Sequence, residues 1–213
     1  MFGLFKRKKV RTVTAPNSVY MSREIADEAL IATAAASEYP VIVASFFKDS
    51  LDRLEVKLRE ADVEATRLEH FGYGGNGPKD APLLLHAGRG VDDTEFERWL
   101  QGADAEFLFL FVEHFPLLSV EEKLLDVLER AQERRMQRAM FFTGLDEPLM
   151  VAFGGDRLIQ LMHSLGMGPS ERISHSMVDS AIANACKKVE KKVRLPKPAD
   201  SDAEWFAVNL SGQ

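Results

Sequence analysis

The chain has 213 residues, of which 46% are hydrophobic and 28% charged, and its formal net charge is −6. That length suits one α/β domain with short appendages, and the mixture is that of a globular protein in water. No apolar run approaches the roughly 20 residues that span a bilayer. The charged start is not followed by an unbroken apolar core of the secretory kind. A lone cysteine, Cys186, excludes an internal disulfide and a multi-cysteine metal site. The expectation is a cytoplasmic protein.

Charge is unevenly spread. Residues 1–11 hold Lys6, Arg7, Lys8, Lys9 and Arg11 with no acid, which leaves −11 on the remainder. A body that acidic argues against nucleic acid, because phosphate neutralisation supplies most of such affinity. The arm MFGLFKRKK sets Phe2, Leu4 and Phe5 beside the basic cluster. Two readings stand for it: weak contact with an anionic membrane at its inner face, or a flexible basic arm over residues 1–17. Gly3 is not at the position an N-acylation motif requires.

In chain order, residues 22–38 are alanine-rich and predict a helix ended by Tyr39-Pro40. Val41–Phe46 is a buried-strand run. Asp49 is the expected N-cap of a helix with Leu51, Leu54, Leu58 and Ala61 on one face. Val63–Leu68 predicts another strand, and residues 71–82 a loop. Leu83–Ala87 predicts a strand leading into Gly88-Arg89-Gly90. A helix over 93–101 and a strand over Phe107–Val112 follow. Ser119-Val120-Glu121-Glu122 has the pattern of a capping box, opening a helix lined by Val120, Leu124, Val127, Leu128 and Ala131. Ala139–Thr143 is the next strand. Beyond residue 145 the chain turns helical. Its longest helix runs over 176–193, with Val178, Ile182, Ala185, Val189 and Val193 on the apolar side. Pro196 and Pro198 open a polar tail, 196–213, in which Trp205 and Phe206 either dock or stay free. Short apolar strands alternating with amphipathic helices mean a parallel sheet covered on both faces. Ligands of such sheets bind beyond the carboxyl ends of the strands.

Three late segments, FFTGLDEPLM, DRLIQLMHSLGM and ISHSMVDSAIANACKKVEKK, resemble the stretch where the SecA preprotein translocase motor leaves its second RecA-like domain. Ile173, His175, Met177, Val178, Ala181, Ile182, Asn184, Ala185, Lys188, Val189 and Glu190 match the family's scaffold-helix pattern in register, and Cys186 stands where that family has Gln. Upstream, PVIV with the helix after it resembles "PVLVGTxSxxxSExLSxxL", and LLLHAGRGVD resembles the helicase motif "ATNMAGRGTD". The resemblance spans roughly residues 18–193. It implies an α/β, RecA-like (P-loop NTPase-type) parallel sheet flanked by helices and followed by a long C-terminal helix. It also implies four parts: an arm (1–17), a degenerate helicase C-terminal-like domain (18–172), a scaffold-like helix (173–195) and a tail (196–213).

The catalytic pattern of that family is incomplete here. The family's P-loop and acidic Mg²⁺ motif belong to another domain, which a chain of this length does not accommodate. The Gly72–Asp80 loop departs from a P-loop at Pro78 and Asp80, and leads into a strand instead of opening a helix. Where the family has "QxRGRxGRQGDxG", this chain has a helix-forming stretch around Arg130, Arg134 and Arg135, either remnants or a solvated helix face. Gly88, Arg89, Gly90 and Asp92 keep a nucleotide-proximal motif. There Arg89 either stabilises a phosphoryl group held by a partner, or pairs with Asp92 or Asp93 while the glycines keep a turn. The five histidines lack metal-ligand spacing, and no cofactor is expected. The reading is a non-catalytic interaction or regulatory module, with His175, Val178, Ile182 and Lys188 on its interaction helix. Its expected partner is a protein, the SecA motor or the translocation channel. The other reading is a half-site that lends Arg89 to a P-loop ATPase in trans.

Overall fold

The computed structural model describes residues 13–71, 81–88, 93–103, 105–131, 137–164, 166–173 and 176–210. Its strands are β1 (Asn17–Tyr20), β2 (Val41–Ser45), β3 (Thr66–Arg67), β4 (Leu83–His86), β5 (Leu108–Phe111) and β6 (Arg138–Gly144). Its helices are α1 (Arg23–Ala35), α2 (Lys48–Glu60), α3 (Asp93–Gly102), α4 (Leu118–Ala131), α5 (Pro148–Ala152), α6 (Gly155–Ser164), α7 (Ser176–Lys192) and α8 (Asp202–Leu210). Every pairing is parallel, in the order β1-β6-β5-β2-β4-β3.

β2 lies inside the sheet and all five of its residues are buried. Alternate side chains of a strand point to opposite faces, so Ile42 and Ala44 enter one core while Val41 and Val43 enter the other. α1 and α2 cover the second face with Ala26, Leu30, Leu51, Leu54 and Leu58. α3, α4, α7 and α8 cover the first with Phe96, Trp99, Leu124, Val127, Val189 and Trp205. The fold is the α/β, RecA-like parallel sheet that the resemblance implies, with α7 as its long following helix. Among the described residues, no helix is long and apolar enough to cross a membrane.

Several local expectations are corrected. The strand expected over Val63–Leu68 shrinks to β3, an edge strand whose Arg67 pairs with Asp52 and Glu55 of α2 at 2.5 Å each. Asp49 does not cap α2. The helix begins at Lys48 with Phe47 as its N-cap, and no side chain bonds there. The capping box at Ser119 does not form either, because α4 begins at Leu118 and takes Ser119 into its first turn. Glu121 is buried, accepts the Phe115 N–H at 2.7 Å and meets His114 Nδ1 at 2.9 Å. The Ser119 N–H is instead satisfied by Glu190 Oε1 of α7 at 2.8 Å. The arm expected to reach residue 17 gives way to packed structure at Val13, which is buried and donates its N–H to Glu129 Oε2 at 2.8 Å. The basic cluster itself lies outside the described residues. β1 was not expected; its free edge is met by Ile173, whose N–H donates to Val19 O at 2.8 Å.

Candidate functional site at the carboxyl edge of the sheet

From β2 the chain passes to β3 and β4 on one side, then crosses to β5 and β6 on the other. The crevice beyond the carboxyl ends at such a reversal is the ligand position of open α/β sheets. Here that crevice is built from the turns after β1, β2, β5 and β6. Ser22 caps α1, accepting the Ile25 N–H, and thereby starts the helix on Arg23. After β5 comes Glu113, 1% exposed, whose Oε1 accepts the Phe46 N–H at 2.8 Å and lies 2.7 Å from Ser45 Oγ. After β6 comes Glu147, 3% exposed, accepting the Gly144 N–H at 2.7 Å.

Arg23 gathers these acids. Its Nη2 lies 3.7 Å from Glu147 Oε2 and is hydrogen-bonded to Asp202 Oδ2. Burial alone would lower the Arg23 pKa, but Glu147, Asp202 and Glu113 outweigh it and raise the value. Burial likewise dominates at the two glutamates. The Glu147 carboxyl is pushed up to about 8 despite Arg23, and Glu113 is raised despite its bond to Ser45. Burial thus favours the protonated form of Glu147, and the closest ion pair of the cluster is Arg23 with Asp202.

Asp202 belongs to the segment expected to be a polar tail. That segment forms α8, and it lies across the crevice. The Asp49 N–H, in the first turn of α2, donates to Asp200 O at 3.0 Å. Trp205 is 1% exposed and meets Phe115 edge-on, with ring centroids 5.7 Å apart. α8 also packs on α5, the helix after β6. Truncating a buried tryptophan to alanine costs about 3–5 kcal/mol, so Trp205 is a substantial anchor. The chain's own α8 thus occupies the place where this sheet type takes a ligand.

Of the nucleotide-proximal residues singled out from sequence, Gly88 is the one among the described residues. It follows β4 so closely packed that a Cβ would sit 1.9 Å from the Phe46 carbonyl oxygen. Only glycine fits there, which accounts for its retention as a turn residue. Arg89, Gly90 and Asp92 lie outside the described residues, as do His175, Arg134 and Arg135. Arg130 is half exposed and bonds Glu97 Oε2 at 2.6 Å, as a solvated helix face does. Val178 and Ile182, expected on an interaction helix, are 2% and 3% exposed. Their side of α7 is buried in the chain's own core, so they offer a partner nothing in this arrangement. Lys188 is exposed, with its ammonium 5.4 Å from the centre of the Phe153 ring. Much of the matched helix pattern therefore has a packing cause: Ala185 and Val189 are buried, and Glu190 caps α4. Cys186 is buried too, and its thiol is pushed up to about 12 by burial and by Glu121 and Glu190, as expected of a packed, unreactive cysteine. Gly166, in the matched Leu-Gly-Met segment, has φ +73° and ends α6 in the left-handed conformation that glycine favours.

Arg23, Glu113, Glu147 and Asp202 escaped the sequence reading. A usable signal existed only at the last: Ser201-Asp202-Ala203-Glu204 is a capping-box pattern just before Trp205. Glu204 N–H does donate to Ser201 Oγ, at 3.1 Å.

Comparison with known proteins gives the chain a relationship. It is 28% identical over 187 residues to the protein translocase subunit SecA of Nitratidesulfovibrio vulgaris, covering 82% of this chain and 22% of that protein. It is 50% identical over 52 residues to SecA of Acidithiobacillus ferrooxidans, covering 24% of this chain and 6% of that protein. With SecA of Treponema pallidum it shares 46% over 55 residues. The chain is similar to one part of SecA. It spans less than a quarter of the length of the curated relatives it matches. No family model matches it. Among solved structures, the C-terminal part of the Fun30 ATPase domain aligns with 78% of this chain and 54% of that one, at 14% identity and a TM-score of 0.38.

Proposed function

We propose that this chain is a non-catalytic, SecA-like interaction or regulatory module of protein translocation, acting in the cytoplasm through protein contacts. The observation that carries the reading is the state of the carboxyl edge. Where a nucleotide-binding sheet would present phosphate-binding groups, this one holds two buried glutamates, and among the described residues the arginine there, Arg23, is engaged by the chain's own Asp202. Buried carboxyls are poor neighbours for a phosphate. The similarity to SecA supplies the link to translocation.

The test is to combine the purified chain with a purified SecA motor and follow ATP hydrolysis and co-sedimentation. The chain alone is expected to give no turnover above background, and to form a complex with the motor or its channel. Turnover by the chain alone removes the non-catalytic reading. Failure to associate with either component removes the link to translocation. The second reading, a half-site lending Arg89, is favoured by the Gly88 turn, which keeps the start of that motif tightly seated. It requires Arg89→Ala to lower the complex's ATPase rate by about 10³-fold.

A further inference from the structure

We propose that the carboxyl edge of the sheet is a seat for an acidic–aromatic helical segment, and that residues 199–210 are its occupant in cis. The partner it fits in trans is a peptide segment with a carboxylate followed three residues later by tryptophan. Such a pair lies on one face of a helix.

Four observations carry this. The contacts of α8 fall on the turns after separate strands, as a ligand's do: Arg23 after β1, Asp49 after β2 and Phe115 after β5. The contacts are selective, since Arg23 takes a carboxylate, the first turn of α2 takes a carbonyl, and Phe115 takes an indole edge. The segment also organises itself. Ser201 Oγ accepts the Glu204 N–H, Glu204 Oε2 accepts the Asp200 N–H at 2.9 Å, and the Asn209 side chain bridges the N–H and C=O of Lys197 at 2.7 and 3.0 Å. Finally, residues 194–198, which join it to α7, are all exposed, with Leu195 at 89%. Local bonds shape the segment, Trp205 anchors it with Ala199, Phe206 and Leu210 packed beside the core, and an exposed connection tethers it.

The chemistry of the seat chooses the partner. Among the described residues the seat offers one cation, Arg23, to one carboxylate, and with the acidic side chains of Glu113 and Glu147 beside it this suits a singly charged acid better than a phosphate. The aromatic wall of Phe115 selects the tryptophan. A tethered occupant competes at an effective concentration in the millimolar range, so a free segment binds well only when the tether is weakened. This inference goes beyond the translocation reading and does not depend on it.

The experiment uses the full chain and a fluorescein-labelled peptide of residues 197–210 as the probe, followed by anisotropy. Wild type is expected to bind the probe weakly. The D202A/W205A chain, with its own occupant disabled, is expected to bind at least about tenfold more tightly. Adding Arg23→Ala to that variant should return binding to the wild-type level, and a scrambled probe should not bind. If the double variant keeps the wild-type circular dichroism and a cooperative melt yet binds no better than wild type, the seat does not exist. A scrambled probe that binds equally well overturns the proposed chemistry. Should the double variant not fold, a protease site placed over 194–198 of the otherwise intact chain decides the matter. After cleavage, the tail is expected to stay with the body on gel filtration and to exchange with labelled peptide. A tail that leaves and is not replaced, or that stays and never exchanges, overturns the proposal.

Discussion

The two C-terminal helices are held to the same side of the sheet by different chemistry. α7 is buried along its length by a stripe of aliphatic side chains, Val178, Ile182, Ala185 and Val189, that merge with the core. α8 adds only one fully buried apolar side chain, the Trp205 indole with Phe206 and Leu210 beside it, and is fixed by the Arg23 ion pair and, just before it, by the Asp200 carbonyl on the first turn of α2. Apolar burial is roughly proportional to area and indifferent to direction. A seat made of a few directional contacts is selective and separable. The helix that resembles the SecA scaffold is therefore structural here, while the helix outside that resemblance lies where a ligand would.

This contrast can be broken most sharply at α7. Val189 is fully buried, and Val189→Asp would place an unpaired carboxylate in the aliphatic core, at a cost of several kcal/mol. The expected result is loss of the cooperative thermal transition; a protein that still melts cooperatively would mean that α7 is as detachable as α8. A smaller effect belongs to the site under α8. Glu147 titrates near 8 in the folded chain against an ordinary value of 4.5, because burial disfavours its charge. The folded state thus keeps a proton that the unfolded chain has released. Its contribution is fully present below about pH 4.5 and is lost as the pH rises through about 8, on the order of a few kcal/mol. The melting temperature should fall over that window, and Glu147→Gln should flatten the fall; a Gln variant with an unchanged profile would place the titration elsewhere. The smallest effect is at the surface of α7. Lys188→Ala removes a cation from the Phe153 ring and should cost about 0.5–1 kcal/mol by denaturant titration. A larger loss would show that α7 relies on its exposed side as well.

How much of this was legible in the sequence follows from how local each feature is. β2, β4, β5 and β6 announce themselves as apolar runs, because a strand buried on both faces has no reason to alternate. β1 does not. Asn17–Tyr20 is only four residues long, and it becomes a strand because β6 offers it a ladder from Asn17↔Phe141 to Tyr20↔Gly144. The helix at Ser119 was legible but its start was not, since α4 begins at Leu118 and the Ser119 N–H is taken by Glu190, far along the chain. The site was the least legible part. Arg23, Glu113 and Glu147 sit in no motif and converge only because the strand order brings the ends of β1, β5 and β6 together. Gly88 was legible as a turn glycine because a close backbone approach leaves no alternative residue.

The bond between Arg23 and Asp202 joins groups 179 residues apart in the chain. Such a contact cannot form early, because closing so long a loop is entropically costly until the intervening sheet has drawn its ends together. The seat of α8 comes into being only when β1, β2, β5 and β6 have all found their places, and α8 is synthesised after every one of them. The burial of Trp205 is thus a late event in folding. In a Trp99→Phe chain its fluorescence would serve as a clock for completion of the sheet, lagging behind any signal that reports the helices alone.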